Sequence, residues 1–312
     1  MKQHYVFGPI ASRRLGRSLG IDLLQQKICC QDCIYCEAGR TQQLTAERSL
    51  YVPTQDVLQQ LDEVLKQNIE LDHITFSGAG EPTLHSGIGD VIRHIKQHYP
   101  QYRVCVLTNG MLLNDKTLQQ ELMPADLLIP SLDASNEEEF RKINRPVPEI
   151  GFQTFLSGMA EFTHLFGGKV FLELFIIPGI NDSDESISAF ARIIKTLRVD
   201  KIQLNRLDRP GTEEDVAVAS GQNADRFVRV LSEIAPVEVI GSFRQQSVPD
   251  QTAESRLAAF LKQAPADLPA IKSHLGLSFF ETDLVIKKLL FTGIAVKQEI
   301  DGKTIFSAKE QL

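Results

Sequence analysis

The chain has 312 residues, of which 43% are hydrophobic and 23% charged, a composition that excludes a largely disordered protein and allows a large buried core. Its length exceeds the usual size of one domain, so we expect a large α/β domain with a small second domain. A formal net charge of -7 argues weakly against a protein that coats nucleic acid.

The amino-terminal residues contain no apolar run typical of a signal peptide, and the most apolar stretch, residues 170–180, is short and interrupted by Glu173. We therefore expect a cytoplasmic protein with no membrane segment. In a reducing compartment, a cysteine cluster indicates a metal site or redox chemistry rather than structural disulfides.

Short aliphatic runs alternate along the chain with longer stretches of helical period, a pattern typical of parallel strands joined by crossover helices. Strands are predicted at residues 18–24, 73–78, 103–108, 126–132, 169–177 and 201–205, with a candidate seventh at 237–241. Six strand–helix units are too few to close an eight-fold barrel. The sequence therefore predicts an α/β domain over residues 1–242 that forms a partial (βα)6 TIM-like barrel.

A polar segment, residues 243–254, follows this domain and is predicted to be a linker. In the remaining residues, 255–312, we predict helices at 255–263, around 268–275 and around 279–291, and a β-hairpin at 295–308. The hairpin contains Asp301-Gly302, a strong two-residue turn signal. Three helices followed by a hairpin predict a small C-terminal winged-helix domain.

Four of the five cysteines lie in one short loop, and Cys29, Cys33 and Cys36 have the spacing C-x3-C-x2-C. Three thiolates on such a loop can hold three corners of a [4Fe-4S] cluster and leave one iron open to a ligand. The alternative, a structural zinc site, needs a fourth ligand and normally a second CxxC or a His pair, which does not follow nearby. Cys30 would give the tighter spacing C-x2-C-x2-C. The residues by themselves leave the choice between Cys29 and Cys30 open.

The C-x3-C-x2-C spacing, with Tyr35 before the last cysteine, resembles the radical S-adenosylmethionine superfamily. The tighter spacing given by Cys30 is not the superfamily's, so the resemblance implies that Cys29 is the ligand and Cys30 a bystander. It also implies that S-adenosylmethionine binds the open iron through its amino and carboxylate groups, with Tyr35 nearby. Ala79, Gly80 and Glu81 follow the second predicted strand and look like the family's GGE motif, which receives the methionine ammonium. Glu81 offers an anionic acceptor to that cation.

Further matches follow the third to sixth predicted strands, where a barrel of parallel strands builds its active site. Thr108, Asn109 and Gly110 resemble the TNG turn near the methionine and ribose, and Ser131 and Asp133 resemble residues that bind the ribose hydroxyls. The adenine-contacting GxIxGxND pattern is matched by Ile177, Gly179, Ile180 and Asn181. The last wall of the pocket would be formed by Leu204 and Asn205. Each match alone could be an ordinary turn, but five in order favour the family.

Longer stretches, including residues 7–22 and 202–211, look like the subfamily related to the tricyclic wyosine-forming tRNA enzymes, over roughly residues 5–240. The departures are Cys30, where that subfamily commonly has Asn, and Val147, where it commonly has His. The resemblance implies reductive cleavage of S-adenosylmethionine to a 5'-deoxyadenosyl radical that abstracts hydrogen from a substrate. The flavodoxin domain of the eukaryotic wyosine enzymes is absent, so an external flavodoxin or ferredoxin is the expected electron donor.

Arginines in predicted loops are the candidate substrate-binding residues, because several could meet at the barrel mouth and bind phosphate or carboxylate. They are Arg13, Arg14, Arg17, Arg40, Arg145, Arg206 and Arg209. The alternative is that most of them are solvated or pair with nearby acids, and Glu173 either faces the pocket or pairs with one of them. His73 and His85 are expected to be hydrogen-bonded loop residues. Cys105 is expected to be a buried apolar residue, and with only Cys30 and Cys105 left over, an auxiliary cluster is not expected.

Residues 255–312 hold eight basic and six acidic side chains, which is less basic than a DNA reader should be. We therefore rank sequence-specific DNA last among the partners, after RNA and a peptide. The sequence predicts a radical S-adenosylmethionine enzyme that acts on an RNA or nucleotide. The alternatives are a peptide- or small-molecule-modifying enzyme whose second domain binds a partner, and a cluster-based redox or transcription sensor without catalytic activity.

Overall fold

The computed structural model describes residues 4–12, 14–208, 211–240, 257–258, 260–262, 264–275, 282, 285–286, 289–290, 292, 294–300 and 303–309. The chain separates into two compact units, Met1–Gln245 and Gln246–Leu312. The predicted linker, residues 243–254, lies outside the described residues, as do Arg13 and Arg209. Among the helices that are described, none is both long enough and apolar enough to cross a membrane.

The first unit is an α/β fold built on one large sheet. Its strands are β1 (Val6–Ser12), β2 (Gly16–Ile21), β3 (Ile28–Cys29), β4 (Gln43–Leu44), β5 (His73–Phe76), β6 (Arg103–Thr108), β7 (Leu127–Pro130), β8 (Lys169–Phe175), β9 (Lys201–Asn205) and β10 (Val237–Val239). Its helices are α1 (Thr54–Leu65), α2 (Ile88–His98), α3 (Lys116–Leu122), α4 (Glu137–Ile143), α5 (Phe152–Leu165), α6 (Asp184–Ile194) and α7 (Gly221–Leu231), with a 3-10 turn at Pro82–Leu84.

Eight of these strands form the sheet, in the order β1-β2-β5-β6-β7-β8-β9-β10. From β2 to β10 each neighbouring pair is parallel, whereas β1 runs antiparallel to β2. The strands predicted from the sequence are all present, including the candidate seventh, with ends that differ by a few residues. The sequence pattern does not predict β1, because Gly8 and Pro9 interrupt it. An edge strand tolerates a proline, since one of its sides has no ladder to complete.

The parallel strands follow one another in chain order, so right-handed crossovers place the connecting helices on one face of the sheet. Leu19 and Ile21 of β2 point to that face and lie in the main core. Helix α1 contributes Val57, Leu61 and Leu65, which recur at helical spacing and are buried. The carboxyl ends of the parallel strands consequently meet at one edge, where the loops carry the predicted motifs.

The other side of the sheet, which we call the helix-free face, carries the residues that alternate with the core residues. Among them are Ser18, Gly20, Thr75, Cys105, Ser131, Glu173, Gln203 and Asn205. Phe7 of β1 lies over Gly20, and a Cβ at Gly20 would be 2.1 Å from the Phe7 ring, so the strand needs glycine there. The Phe7 side chain remains 38% exposed. This face therefore presents both an aromatic ring and polar groups.

The second unit is described in part. Residues 257–258 and 260–262 are helical, and they precede β11 (Ala266–Asp267), α8 (Leu268–Leu275), β12 (Ala295–Ile300) and β13 (Lys303–Ala308). The predicted hairpin is β12 and β13, and β11 joins it in the order β11-β13-β12, a third strand too short to show a sequence pattern. Of the predicted third helix, residues 282, 285–286 and 289–290 are helical, while the others and Asp301-Gly302 lie outside the described residues. The winged-helix class stays a prediction.

Phe190 of α6 is fully buried, and its ring centroid lies 6.0 Å from that of Phe227 in α7. Phe190→Ala would leave a cavity in the main core, so we expect the free energy of unfolding to fall by about 3–5 kcal/mol. Because the chain has no tryptophan, urea unfolding is best followed by circular dichroism. Leu165→Ala is the control, since that side chain is 55% exposed, and it should change stability by less than about 0.5 kcal/mol. Equal losses in the two variants would contradict the packing described.

Candidate active site

The cysteine loop leaves the end of β2 and packs against the loop after β5. Its base is closed by the pairing of β3 with β4 and by a hydrogen bond of 2.8 Å from the Gln42 N–H to the Lys27 carbonyl. The Glu81 N–H donates to the Ile28 carbonyl at 3.0 Å. A Cβ at Gly80 would lie 1.9 Å from that carbonyl oxygen, so this approach requires glycine. The cysteine loop and the Gly80-Glu81 loop are therefore in direct contact.

Three thiols of the loop lie around one ammonium group. The Lys27 Nζ is 3.0 Å from the Cys36 Sγ. Burial lowers the pKa of Lys27, but the charges of Cys29, Cys36 and Cys33 and this hydrogen bond raise it above its ordinary value. In the part of the chain that the structure describes, no three His, Cys, Asp or Glu side chains form a group that could hold a single metal ion. A four-iron cluster, which binds each thiolate at a different iron, stays the prediction for these three cysteines.

The pKa values of Cys30 and its neighbour Cys29 are shifted in opposite directions. Cys30 is fully buried, with its Sγ 3.3 Å from the Asn109 Nδ2. Burial raises the pKa of Cys30 well above its usual value, whereas the hydrogen bond from Cys30 lowers the pKa of Cys29. Burial raises the pKa of Cys33 as well. The assignment of Cys29 rather than Cys30 as a ligand stays a prediction.

The carboxylate of Glu81 joins the loops after β5 and β6. Its Oε1 accepts from the hydroxyls of Thr83 and Thr108 at 2.6 and 2.7 Å, and its Oε2 accepts from the Asn109 N–H at 2.7 Å. Glu81 is 3% exposed, and burial raises its pKa while these hydrogen bonds oppose the rise. The Asn109 Nδ2 lies 3.4 Å from the Cys29 Sγ. Residues predicted from two separate motifs therefore form one network with the cysteine loop.

A second buried carboxylate, that of Asp133, joins the loop after β7 to the cysteine loop. It accepts from the Tyr35 hydroxyl, from the Asn144 Nδ2 at 3.1 Å and from the Phe175 N–H at 3.0 Å. Burial raises the pKa of Asp133 to about 6, although these hydrogen bonds lower it. Tyr35 also stacks on Phe175, with ring centroids 4.0 Å apart. Tyr35 is therefore fixed on both its ring and its hydroxyl.

The loop after β8 is shaped by Asn181, which is fully buried. Its Oδ1 accepts from the Ile177 N–H at 2.7 Å, and its Nδ2 donates to the Asp133 and Phe175 carbonyls, each at 2.8 Å. These bonds hold the turn that carries Gly179. Ile177 packs in a small apolar cluster that also contains Ile34, Ile143, Phe175, Leu207 and, partly buried, Tyr35 and Ile180. Asn181 thus positions the loop, and its contact with adenine stays a prediction.

On the helix-free face, Glu173 is the meeting point of residues from three elements. Its Oε1 accepts from Arg14 and from the Asn205 Nδ2, the latter at 2.7 Å. Glu173 therefore pairs with a loop arginine, one of the two outcomes that the sequence allows. The backbones of Ser131 and Glu173 pair through a single parallel β-bridge, and Ser131 is half-buried. Leu204 lies in the main core instead, because it alternates with Asn205 along β9.

Of the other candidate arginines that the structure describes, Arg40 and Arg145 meet at one acid, whereas Arg17 lies elsewhere. Arg17 is exposed at the amino end of β2, away from the loops that carry the motifs. Arg145 pairs with Glu213, which also binds Arg40 at 2.8 Å. Arg206 donates to a backbone carbonyl at 3.0 Å. Pairing with nearby acids is thus the better description of Arg40 and Arg145, and Arg14 is the arginine that reaches the helix-free face.

His73 and His85 are hydrogen-bonded, as the sequence predicts, but His73 is the first residue of β5 rather than a loop residue. The Nδ1 of His73 is 3.0 Å from the Leu15 carbonyl, and the Nε2 of His85 is 2.8 Å from the Val52 carbonyl. Cys105 is fully buried, and its burial raises its pKa. These residues are therefore not candidates for metal binding.

Two side chains that contact the thiols are missed by the sequence reasoning. Lys27 contacts Cys36, and the Asn144 Nδ2 lies 3.5 Å from the Cys33 Sγ. A lysine two residues before Cys29 is a signal that could have drawn attention to Lys27. Asn144 gives no such signal, because only the fold brings it to a cysteine 111 residues away in sequence.

Comparisons of the sequence with known proteins identify its family. A family model described as the radical SAM superfamily matches residues 24–191. A UPF0026 protein from Synechocystis is 34% identical over 206 residues, which cover 66% of this chain and 76% of that protein. A protein from Brachyspira hyodysenteriae named GTPase Obg is 32% identical over 305 residues, covering 97% of this chain, and the chain spans 45% of that relative's length.

A solved structure supports the fold. The crystal structure of a radical SAM methyltransferase from Sphaerobacter thermophilus matches with a TM-score of 0.55 and 20% identity, covering 71% of this chain and 65% of that one. At this level of identity the likeness concerns the α/β fold with its parallel sheet, and it does not extend to the reaction.

Glu81→Gln places an amide NH2 where the carboxylate accepts hydrogen bonds, so at least one buried donor loses its acceptor. We expect the free energy of unfolding to fall by about 1–3 kcal/mol, measured by urea denaturation. The matched control is Glu161→Gln, which alters an exposed ion pair with Lys116 and should change stability by at most about 0.5 kcal/mol. A Glu81→Gln protein as stable as the unaltered chain would show that this network does not hold the loops.

Proposed function

Because the chain belongs to the radical S-adenosylmethionine superfamily, whose members bind a [4Fe-4S] cluster and S-adenosylmethionine, we propose that it cleaves S-adenosylmethionine reductively and that the resulting radical abstracts hydrogen from a nucleotide or RNA. The chain is thus an enzyme. The observation that carries the proposal is the pair of buried carboxylates, Glu81 and Asp133, which link the motif loops to the cysteine loop.

The thiolates of Cys29, Cys33 and Cys36 would hold the cluster. When bound, the cluster supplies the electron that breaks a carbon–sulfur bond of S-adenosylmethionine. An external flavodoxin or ferredoxin would deliver that electron. The chain's own contribution is orientation and the exclusion of water, which the 7% exposure of Cys29 supports.

Glu81 is the proposed acceptor for the methionine ammonium. Its Oε2 accepts one hydrogen bond among the described residues, from the Asn109 N–H, so it keeps a lone pair for a cation. The Thr108-Asn109 turn lies beside it and would contact the same moiety. The proposed contacts with the ribose, the adenine and the last wall of the pocket are Ser131, Asp133, Ile177, Gly179, Asn181 and Asn205, and Leu204 is left out because it lies in the main core.

A nucleotide substrate is supported by the helix-free face. The half-exposed Phe7 ring offers a stacking surface to a base, and aromatic stacking accepts any base. Arg14 offers a planar fork to a phosphate once it leaves Glu173. The relatives that the chain matches include UPF0026 proteins rather than wyosine-forming enzymes, so the resemblance of residues 5–240 to the latter stays part of this proposal. We further propose that the first unit is a partial barrel and that the second unit is a winged-helix accessory for RNA.

The ligand assignment is tested by replacing each cysteine with alanine. After anaerobic reconstitution, Cys29→Ala, Cys33→Ala and Cys36→Ala should lose bound iron and all dithionite-dependent formation of 5'-deoxyadenosine, because each removes a thiolate. Cys30→Ala is the matched control and should keep both. Cluster loss in Cys30→Ala with retention in Cys29→Ala would reverse the assignment. A reconstituted cluster that never yields 5'-deoxyadenosine would favour an electron carrier.

The substrate class is tested by adding the four ribonucleoside triphosphates, and separately total tRNA, to the reconstituted protein. One of the two should increase 5'-deoxyadenosine formation severalfold, and Phe7→Ala should diminish the increase because the stacking surface is gone. The control is Ile10→Ala, an exposed apolar residue of the same strand. A peptide that stimulates where neither nucleic-acid probe does would overturn the nucleotide assignment.

A further inference from the structure

Each cysteine of the triplet is contacted by an N–H donor from a different segment of the chain. The three contacts are Asn109 Nδ2 to Cys29 Sγ at 3.4 Å, Asn144 Nδ2 to Cys33 Sγ at 3.5 Å, and Lys27 Nζ to Cys36 Sγ at 3.0 Å. Two of these donors are neutral amides, and the third is a cation. The proposed function assigns no role to Lys27 or to Asn144.

The two amide donors are held in place by bonds that do not involve the thiols. The Asn109 backbone N–H donates to Glu81, and its Oδ1 accepts from the Met111 N–H at 3.1 Å. Asn144 is 3% exposed, and its Nδ2 also donates to the Asp133 carboxylate. Both amides are therefore held by bonds from outside the triplet, although the Asn109 Nδ2 also lies 3.3 Å from the Cys30 sulfur.

Lys27 is held at the start of the cysteine loop. Its carbonyl accepts from the Gln42 N–H at 2.8 Å, and Ile28, the next residue, is buried in the main core. The side chain is only partly exposed, so water screens its charge less than it screens a surface lysine. Among the described contacts, its ammonium group has one hydrogen-bond partner, the Cys36 sulfur. A positive charge is thereby kept beside the triplet.

Charge and hydrogen bonding at the sulfurs set the potential of an iron–sulfur cluster. Reduction adds one negative charge to a cluster that is already anionic with its thiolates. A nearby cation and N–H···S hydrogen bonds stabilise that extra charge more than they stabilise the oxidised state. Removing either of them should therefore make the cluster harder to reduce.

We propose that Lys27, assisted by Asn109 and Asn144, is a positioning residue that raises the reduction potential of the cluster held by Cys29, Cys33 and Cys36. This inference rests on the proposed function, because it takes the triplet as the cluster ligands. Its consequence is that the external one-electron donor can reduce the cluster more readily. Lys27 would act on the thiolates and would not itself touch the substrate.

The test is a redox titration of the full-length reconstituted protein, without S-adenosylmethionine or substrate, followed by electron paramagnetic resonance. Lys27→Met keeps the length of the side chain and removes the charge and the donor. We expect its equilibrium constant for reduction to fall about tenfold, a shift of about 59 mV to lower potential for a one-electron couple. Asn144→Ala should shift the potential in the same direction by less, because it removes a neutral donor. An unchanged potential in Lys27→Met overturns the proposal.

Three controls keep the result decisive. Lys66→Met removes an exposed charge at the end of α1, at the edge of the sheet where the strands begin, and should leave the potential unchanged. If Lys27→Met holds no cluster, Lys27→Gln and Lys27→Arg decide: a lower potential in the glutamine variant supports the proposal, and equal potentials overturn it. Iron content and the intensity of the resonance signal report on the cluster itself, so failure of the proposed function would appear as absence of the signal rather than as an unchanged potential.

Discussion

The buried carboxylate of Glu81 is the interaction on which the arrangement of the site depends. The Glu81 backbone N–H donates to the Ile28 carbonyl at the entrance of the cysteine loop, and the carboxylate accepts from the Thr108 hydroxyl and the Asn109 N–H. A carboxylate removed from water has a high desolvation cost, which internal donors must offset. The loops consequently cannot separate without leaving buried hydrogen-bonding groups unsatisfied. Asn109 extends this constraint to the cysteine loop, because its side chain contacts the Cys29 sulfur.

Asp133 is a second buried carboxylate that, like Glu81, joins separate segments of the site by hydrogen bonds. It binds Tyr35 of the cysteine loop, the backbone of Phe175 at the end of β8, and Asn144 after α4. Because burial raises the pKa of Asp133 to about 6, this carboxylate is protonated in a fraction of the molecules in mildly acidic solution. Four segments that are distant in sequence are thus joined by two acidic side chains, and the parallel sheet beneath them fixes where those side chains stand.

The sequence predicts the parallel strands well because each is a compact aliphatic run between helical stretches, as in 103–108 and 201–205. It fails at β1, where glycine and proline resemble a loop, and at the two-residue strands, which carry no periodicity. The motif spacing correctly groups the loops at one edge, because carboxyl ends of parallel strands meet there. The spacing says nothing about partners such as Arg14 and Glu173, which are 159 residues apart and meet only through the register of the sheet.

Pro9 in β1 has a consequence for the behaviour of the protein at high concentration. β1 is the edge of the eight-stranded sheet, and an open edge invites pairing with another chain. The missing N–H of Pro9 and the irregular register between Phe7 and Ile10 break the row of donors that an incoming strand would need. The same irregular strand that escapes detection in the sequence is therefore a poor template for an added strand at the β1 edge, while β10 forms the other edge of the sheet.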